Sequence, residues 1–354
     1  MEPHAARPVL IIGHGLAGAA VAWRLWQRGL PFHIVDAGEP VTSSKIAAGL
    51  VTPVTGKKLN LSWRFAELHG NALQFYRQVE SVVGQEFYHE TPYVRLLRNE
   101  AESQRWVKRQ LQPDIAPWID PSASQPLVDP TIFETRWGGF QQHSSAWLDT
   151  AAYLAASESY FRSLDRYEEA WVAEEDLLCE AARVLWRGRE FACAILCRGW
   201  KQQESRYFPW LVYNSARGVI GTVRLDLGEE RRVISNGPWL QPRGPGLWRV
   251  GSTYEFDFSA PLEASLADLH QRHLSGLLLK PVVVEDAQLG IRPIIKHKPL
   301  VVLGRHPKHQ RIALLNGLGS KGTVRAPFFA DLLVDHLLAG REIEEEIDVQ
   351  SNYP

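Results

Sequence analysis

The N-terminal part of the chain contains a short apolar run, a cluster of glycines and a helical repeat. Val9–Ile12 is apolar and rich in β-branched residues, and Gly13, Gly15 and Gly18 follow with the spacing Gly-x-Gly-x-x-Gly. In a strand–turn–helix unit the first glycine permits the tight turn, the second admits a pyrophosphate, and the third lets the helix pack on the sheet. The pattern therefore predicts a dinucleotide-binding βαβ unit.

An acidic residue completes this unit. Residues 32–35 form the second predicted strand, and Asp36 ends it, 18 residues after Gly18. A carboxylate at this position accepts hydrogen bonds from the ribose hydroxyls and repels a 2′-phosphate, which disfavours NADP. Leu16 and Ala17 lie at the start of the helix, whose unpaired N–H groups can bind phosphates, and Ala37 follows the acid.

Size and composition limit the class of protein. With 354 residues, the chain exceeds the size at which one hydrophobic core keeps growing, so we expect two lobes. The formal net charge of −1 and the lack of a basic tract argue against nucleic acid as a partner. No apolar run reaches the roughly 18 residues of a membrane helix, and three cysteines are too few for a disulfide framework or a zinc site. We expect a cytoplasmic protein with no metal.

The pattern of predicted elements divides the chain into two lobes. Helices are predicted over 61–83, 147–164, 262–279 and 324–338, and buried strands over 191–197 and 312–315. The middle of the chain is rich in strand-like runs and turn residues. We expect an α/β fold with a discontinuous Rossmann-like lobe over 1–85, 145–211 and 288–354, and a second, mainly antiparallel β-sheet lobe over 86–144 and 212–287.

A second glycine pattern lies near the C-terminus. Gly317, Gly319 and Gly322 repeat the first spacing and again separate a predicted strand from a predicted helix. We expect no second dinucleotide here, because too few residues follow to supply another strand and acid. A helix N-terminus at Thr323 could instead place N–H donors and a partial positive charge against the carbonyl-rich edge of a flavin.

Further stretches of the chain resemble a known family. They are the small-residue loop over 43–50, Trp171-Val172, the run 194–200, the stretch 251–255, Gly290-Ile291-Arg292-Pro293 and the segment 316–327. In this order they resemble the D-amino-acid oxidase/glycine oxidase (DAO) family of FAD-dependent oxidoreductases. The likeness covers nearly the whole chain. The departures from the family pattern are Cys197, Asn316, Leu318 and His297-Lys298-Pro299.

The resemblance implies a fold, a cofactor and a set of contacts. The fold would be the glutathione-reductase-like FAD/NAD(P)-binding fold, with a FAD-binding lobe and a substrate lobe. FAD would be bound non-covalently, since no cysteine lies near the two loops expected beside the flavin. The residues expected to contact FAD are Gly13, Gly15, Leu16, Ala17, Gly18, Asp36, Ala37, Ser43, Ser44, Ala48, Gly49, Leu50, Val172, Gly199, Trp200, Arg292, Gly317, Gly319, Ser320, Lys321, Gly322 and Thr323.

Arg292 is the main candidate for substrate binding. Pro293 restricts its backbone to extended conformations, and a guanidinium can bind a carboxylate through two parallel hydrogen bonds. In the family that the chain resembles, this arginine binds the substrate carboxylate; the alternative is an internal salt bridge. Tyr254 could donate to the same carboxylate or be a core tyrosine. Lys321 could stabilise reduced flavin or superoxide, or be a solvated lysine.

The expected reaction is oxidation of a small amine or amino acid. The resemblance implies hydride transfer from the α-carbon to flavin N5, hydrolysis of the imine, and reoxidation of the flavin by O2 or another electron acceptor. Two alternatives stay open. One is a flavin oxidase acting on an aminomethyl group of a larger molecule, such as a modified tRNA base. The other is a protein that binds FAD without catalysis. The sequence leaves open the identity and chirality of the amine, the acceptor and the oligomeric state.

Overall fold

The computed structural model describes residues 7–120, 126–270, 274–296 and 301–353. The departure at residues 297–299 lies outside the described residues. The helices are α1 (Leu16–Gln27), α2 (Ser43–Ile46), α3 (Phe65–Val83), α4 (Glu100–Arg109), α5 (Thr150–Ser163), α6 (Leu262–Asp268) and α7 (Gly322–Ala339). Short 3-10 helices are Ala116–Trp118, Glu174–Asp176, Gly199–Glu204, Leu274–Gly276, Gly319–Lys321 and Val349–Asn352.

The strands lie between these helices along the chain, often several in succession. In chain order they are β1 (Val9–Ile12), β2 (Phe32–Asp36), β3 (Leu50–Val51), β4 (Val54–Thr55), β5 (Asn60–Leu61), β6 (Tyr88–Glu90), β7 (Tyr93–Leu96), β8 (Gly139–Gln142), β9 (Ala146–Leu148), β10 (Tyr167–Glu169), β11 (Leu178–Cys179), β12 (Val184–Trp186), β13 (Arg189–Phe191), β14 (Ala194–Leu196), β15 (Ala216–Arg224), β16 (Val233–Ser235), β17 (Trp239–Gly244), β18 (Leu247–Gly251), β19 (Val284–Arg292), β20 (Val302–Arg305) and β21 (Ile312–Asn316).

A mainly parallel sheet has the order β10-β2-β1-β14-β21-β20 in the described part of the chain. All its pairs are parallel except β20 with β21. Side chains on one face, such as Ile11 and Ile195, pack in one cluster with residues of α1 and α7. On the opposite face Leu10 and Leu196 pack against Trp186. Cover on both faces explains the continuous apolar runs of these strands and confirms the Rossmann-like lobe.

The second large sheet has the order β19-β15-β18-β17-β16-β7-β8. Its pairs are antiparallel except β16 with β7. One face buries Val219, Trp248 and Val250 together with Leu269 and Leu274, which follow α6 in sequence. This sheet confirms the expected mainly antiparallel lobe. The predicted boundary between residues 287 and 288 falls inside β19, and the assignment of each segment to a lobe stays a prediction.

Two predicted helices begin later in the structure. The helix predicted from residue 61 begins at Phe65, because Asn60–Leu61 pairs with β4. The helix predicted from residue 147 begins at Thr150, because Ala146–Leu148 pairs with β3 and β6. The Asp149 carboxylate then accepts a hydrogen bond from the Ala152 N–H and caps the helix.

The prediction of one helix over 262–279 was wrong. Helix α6 ends at Asp268, and a separate 3-10 turn covers Leu274–Gly276. Leu269, Leu274 and Leu278 are nevertheless buried. The spacing of apolar residues therefore predicted the buried side chains correctly but the length of the helix incorrectly. The strand predicted over 191–197 is also interrupted, since β13 ends at Phe191 and β14 starts at Ala194.

Cys193 and Cys197 flank β14 and are buried. Burial raises the pKa of the Cys193 thiol to about 11 and that of Cys197 to about 12, so both are protonated core residues at neutral pH. Within the described ranges, no group of His, Cys, Asp or Glu side chains is placed to hold a metal ion. None of the helices in these ranges has both the length and the apolar character that a membrane span requires.

Candidate functional site

The glycine-rich turn between β1 and α1 has no room for side chains. Gly13 has φ +102°, and a Cβ there would lie 2.5 Å from the carbonyl oxygen of Cys197. A Cβ on Gly15 would lie 2.8 Å from Ser44 Oγ, and one on Gly18 would lie 1.8 Å from the carbonyl oxygen of Gly13. Glycine is therefore required for this close packing of strand, turn and helix.

The carboxylate of Asp36 is fixed beside this turn. The His14 N–H donates to Oδ2 at 2.6 Å, and the Gly38 N–H donates to Oδ1 at 2.9 Å. The His14 ring is buried edge-on against Tyr167, with 5.2 Å between ring centroids. Burial lowers the pKa of His14 to about 4, so the ring is neutral and Asp36 has no cationic partner in His14.

A large cavity begins at Asp36 and follows the glycine turn to Arg292. It lies at the carboxyl ends of β1, β2, β14 and β21, which is the position where open α/β sheets bind ligands. The cofactor-contacting residues predicted from the sequence line it, apart from Gly18 and Lys321: they are Gly13, Gly15, Leu16, Ala17, Asp36, Ala37, Ser43, Ser44, Ala48, Gly49, Leu50, Val172, Gly199, Trp200, Arg292, Gly317, Gly319, Ser320, Gly322 and Thr323. Gly18 lies behind the turn that it packs against.

The loop that contains α2 forms one wall of the cavity. The Thr42 hydroxyl accepts a hydrogen bond from the Lys45 N–H at 3.2 Å and caps this short helix. The Ser44 hydroxyl accepts a hydrogen bond from the Leu16 N–H at 3.2 Å. This bond ties the wall to the N-terminus of α1, so the loop and the glycine turn form one surface.

The second glycine loop forms another wall. The Gly317 N–H donates to the Asn316 side-chain oxygen at 2.6 Å, and the Asn316 amide donates to the Gly199 carbonyl oxygen at 3.0 Å. The Gly319 N–H donates to the Pro293 carbonyl oxygen at 3.2 Å. Helix α7 begins directly after this loop, and its first residues, Gly322 and Thr323, line the cavity. Its N-terminal N–H groups are therefore available to an electron-rich group in the cavity.

Arg292 is the last residue of β19 and brings a guanidinium to the cavity. Nη2 donates to the Ser252 hydroxyl at 2.6 Å, and Nη1 donates to the Thr253 carbonyl oxygen at 3.3 Å. Both partners found in the described structure are neutral oxygens, so the alternative of an internal salt bridge has no support there. Burial lowers the pKa of Arg292, while the nearby Tyr254 and Glu255 oppose this shift.

Tyr254 covers Arg292 at the surface. The Arg292 guanidinium carbon lies 4.7 Å from the centroid of the Tyr254 ring, and the Tyr254 and Ser320 hydroxyls share a hydrogen bond at 2.7 Å. Tyr254 is 51% exposed, which excludes the alternative of a core tyrosine. Its contact with Ser320 links the antiparallel sheet to the second glycine loop.

Lys321 faces away from the lining of the large cavity. Its ammonium donates to the Thr52 hydroxyl at 3.1 Å, and its side chain lines a smaller cavity that includes Trp63 and Phe65. Burial, followed by repulsion from Arg325, lowers the pKa of Lys321 to about 8. It is therefore not a solvated lysine. If its charge affects a group bound in the large cavity, the effect acts through the second glycine loop, which lies between them.

A charged cluster of the cavity lining, formed by Glu39, Arg198 and Lys201 around Trp171, was not predicted from the sequence. Lys201 pairs with the carboxylate of Glu39, and both Lys201 and Arg198 lie over the ring of Trp171, at 4.8 Å and 5.7 Å from its centroid. Ser252, the partner of Arg292, lies in the stretch 251–255 that resembles the family, but it was not predicted as a site residue. The contacts of these residues join separate segments, so no local spacing could have predicted them.

The shape and donors of the cavity fit an adenine dinucleotide with a second ring system. The cavity adjoins the glycine turn at the N-terminus of α1, where a pyrophosphate would fit, and Asp36 is placed for a ribose. The second glycine loop offers the N-terminus of α7 to a further electron-rich ring. These features fit FAD.

A comparison with protein families also indicates FAD as the cofactor. Residues 8–336 match the family model described as DAO, FAD dependent oxidoreductase. The chain therefore belongs to this family of enzymes, whose cofactor is FAD. The expected fold, cofactor and family are confirmed.

The chain also aligns with individual curated proteins. The chain is 27% identical over 343 residues to the tRNA 5-methylaminomethyl-2-thiouridine biosynthesis bifunctional protein MnmC of Maricaulis maris (strain MCS10), an alignment that covers 94% of this chain and 52% of that protein. The chain spans about half the length of the curated relatives it matches.

Solved structures share the fold. Glycine oxidase from Geobacillus kaustophilus has a TM-score of 0.76 at 18% identity, with 96% of each chain covered. Iminodiacetate oxidase (IdaA) from Chelativorans sp. BNC1 has a TM-score of 0.72 at 21% identity, with 95% of this chain and 96% of that chain covered.

Proposed function

We propose that this protein oxidises a small amine or amino acid that carries a carboxylate. The observation that supports the proposal most is the environment of Arg292, a largely desolvated guanidinium whose described partners are neutral oxygens. A cation that has lost water and has no counterion is costly. A substrate carboxylate would supply the countercharge through two parallel hydrogen bonds.

In this proposal FAD lies along the cavity, with its two halves held by different loops. Asp36 would bind the ribose, and the N–H groups at the start of α1 would bind the pyrophosphate. The loop over 43–50 and the second glycine loop would flank the flavin ring. Bound FAD would supply the oxidation, by accepting a hydride from the carbon that carries the substrate nitrogen.

The residues around Arg292 would orient the substrate. Ser252 and Thr253 fix the guanidinium, so the carboxylate that it binds is held in one direction. The Tyr254 ring shields the guanidinium from water, and its hydroxyl is a possible donor to the same carboxylate. Two of the structural neighbours are named for glycine and iminodiacetate, and both compounds carry a carboxylate one carbon from the nitrogen. For the reoxidation of the flavin, we also propose O2 as the electron acceptor.

A second candidate is oxidation of an aminomethyl group on a larger molecule. It is favoured by the alignment of 94% of the chain with a protein named for biosynthesis of a methylaminomethyl uridine in tRNA. The half-exposed Tyr254 also shows that the region around Arg292 is open to solvent on one side. The formal net charge of −1 argues against an RNA partner.

Anaerobic mixing with a panel of amines tests the proposal. The FAD-loaded protein is mixed with glycine, D-alanine, L-alanine, N-methylglycine and iminodiacetate, and with methylamine and dimethylamine as controls that lack a carboxylate. A 5-methylaminomethyl uridine nucleoside represents the second candidate. Loss of the flavin absorbance near 450 nm, on the order of that caused by dithionite, reports reduction.

Each outcome of this panel decides between the candidates. We expect bleaching by at least one carboxylate-bearing amine and much slower bleaching by its control. Bleaching by the nucleoside alone would favour the second candidate. Absence of bleaching by every amine would contradict both and favour a protein that binds FAD without oxidising amines.

A further inference from the structure

Side chains of the antiparallel sheet hold the cavity wall from behind. The Arg249 guanidinium donates to the carbonyl oxygens of Ile46 at 2.5 Å and Ala47 at 3.2 Å. The Gln241 amide donates to the carbonyl oxygen of Ala48 at 2.8 Å. Three consecutive carbonyl groups of the wall therefore bind to side chains of the sheet.

Two neighbouring strands present these donors together. Gln241 on β17 and Arg249 on β18 are directly opposite each other in the antiparallel register, so their side chains lie on the same face of the sheet. Strand β19 allows a close approach, since a Cβ on Gly290 would lie 2.7 Å from the Ile46 side chain. The loop thus packs directly on the sheet.

The interaction uses a charged donor that forms no salt bridge within the described ranges, although Asp149 and Asp286 lie near enough to oppose the lowering of its pKa. The oxygens that Arg249 contacts in the described structure are these two carbonyl oxygens. Burial, followed by repulsion from Arg243, lowers the pKa of Arg249 to about 10, so it is still charged at neutral pH. Hydrogen bonds from a charged donor are stronger than neutral ones, which makes this a firm attachment.

The direction of the carbonyl groups determines what the loop presents to the cavity. In a planar trans peptide the C=O and N–H groups point in opposite directions. The carbonyl group of Ala48 points to the sheet, and that of Ala47 accepts hydrogen bonds from Arg249 of the sheet and from the Thr150 hydroxyl at the start of α5. The N–H groups of the next residues, Ala48 and Gly49, are therefore turned towards the cavity that these residues line.

We propose that Arg249 and Gln241 are positioning residues of the FAD site, although neither belongs to the cavity lining. They hold the loop so that the N–H groups of Ala48 and Gly49 face the bound cofactor. Strand β18 also leads directly into Ser252 and Thr253, which bind Arg292. One strand thus fixes both the cofactor loop and the guanidinium.

Titration of apo-protein with FAD, followed by quenching of flavin fluorescence, tests this role. Arg249→Met removes both hydrogen bonds and should weaken FAD binding about ten- to a hundredfold. The visible absorption band of the flavin that still binds should change shape, because its contacts to the loop change. Arg249→Lys keeps the charge and loses the forked geometry, so it should restore only part of the affinity.

Arg232→Met is the matched control. Arg232 lies beside the same sheet, forms an ion pair with Glu230 at 2.6 Å, and donates to the Leu127 carbonyl oxygen and the Gln141 side chain, both at 2.8 Å, without contacting the loop. This variant should bind FAD like the wild type. Wild-type affinity and spectrum in Arg249→Met would overturn the proposal, and so would equal losses in both variants. Because the readout is FAD binding, the result does not depend on which amine the protein oxidises.

Discussion

Substitution of Gly18 by alanine should weaken FAD binding, although replacing a glycine within a helix by alanine normally stabilises a protein. The new Cβ would lie 1.8 Å from the Gly13 carbonyl oxygen, whereas carbon and oxygen pack at roughly 3.3 Å, so turn and helix must separate by about 1.5 Å. Overpacking of this kind costs about 1–3 kcal/mol. Above the lower end of this range, the cost outweighs the gain of about 1 kcal/mol expected from alanine within a helix.

The displaced atoms belong to the turn that we assign to the pyrophosphate, so affinity for FAD should fall more than stability. A loss of about 2 kcal/mol in binding corresponds to roughly a 30-fold higher Kd. FAD titration of the apo-protein and its thermal unfolding measure the two effects. Gly70→Ala is the control, since Gly70 lies within α3 with no atom within 4 Å of the new Cβ. It should stabilise the protein slightly and leave the Kd unchanged. Unaltered FAD affinity in Gly18→Ala would refute the assignment of the turn.

The remaining predictions concern Asp36 and Lys321. Asp36→Ala should purify with little flavin, because it lacks the carboxylate assigned to the ribose; full flavin content would contradict that role. In stopped-flow experiments Lys321→Met should slow reoxidation of the flavin by O2 more than its reduction by substrate. Wild-type rates in both half-reactions would show that Lys321 has no part in reoxidation and serves only its contact with Thr52. Burial lowers the pKa of Lys321 to about 8, so wild-type reoxidation should slow as the pH rises through about 8 and the ammonium loses its charge. The variant should lack this step.

The sequence predicted those parts of the site that depend on local spacing. The glycines of the first turn, Asp36 and the second glycine loop each lie within a short segment with a recognisable spacing of residue types. The family resemblance then joined these segments to Arg292. The structure brings them to one cavity, at the carboxyl ends of neighbouring strands of the mainly parallel sheet.

Features that depend on distant parts of the chain could not be predicted in this way. The contact of Arg249 with Ile46 joins residues 203 positions apart. The direction of the Lys321 side chain depends on Thr52, which is 269 positions away. The helix predicted over 262–279 is too long for a different reason, since apolar spacing reports which side chains are buried and does not require a helical backbone throughout.

The most direct test of amine oxidation guided by Arg292 is the rate of anaerobic flavin reduction in the wild type and in Arg292→Ala. Each protein is mixed with the best carboxylate-bearing amine of the panel and with the same amine lacking its carboxylate. We expect the variant to require about 100-fold more of the carboxylate-bearing amine for half-maximal reduction, with no rescue by Arg292→Lys, and to match the wild type with the other amine. Equal concentration dependence in wild type and both variants would contradict the proposed role of Arg292 and, with it, the proposed substrate class.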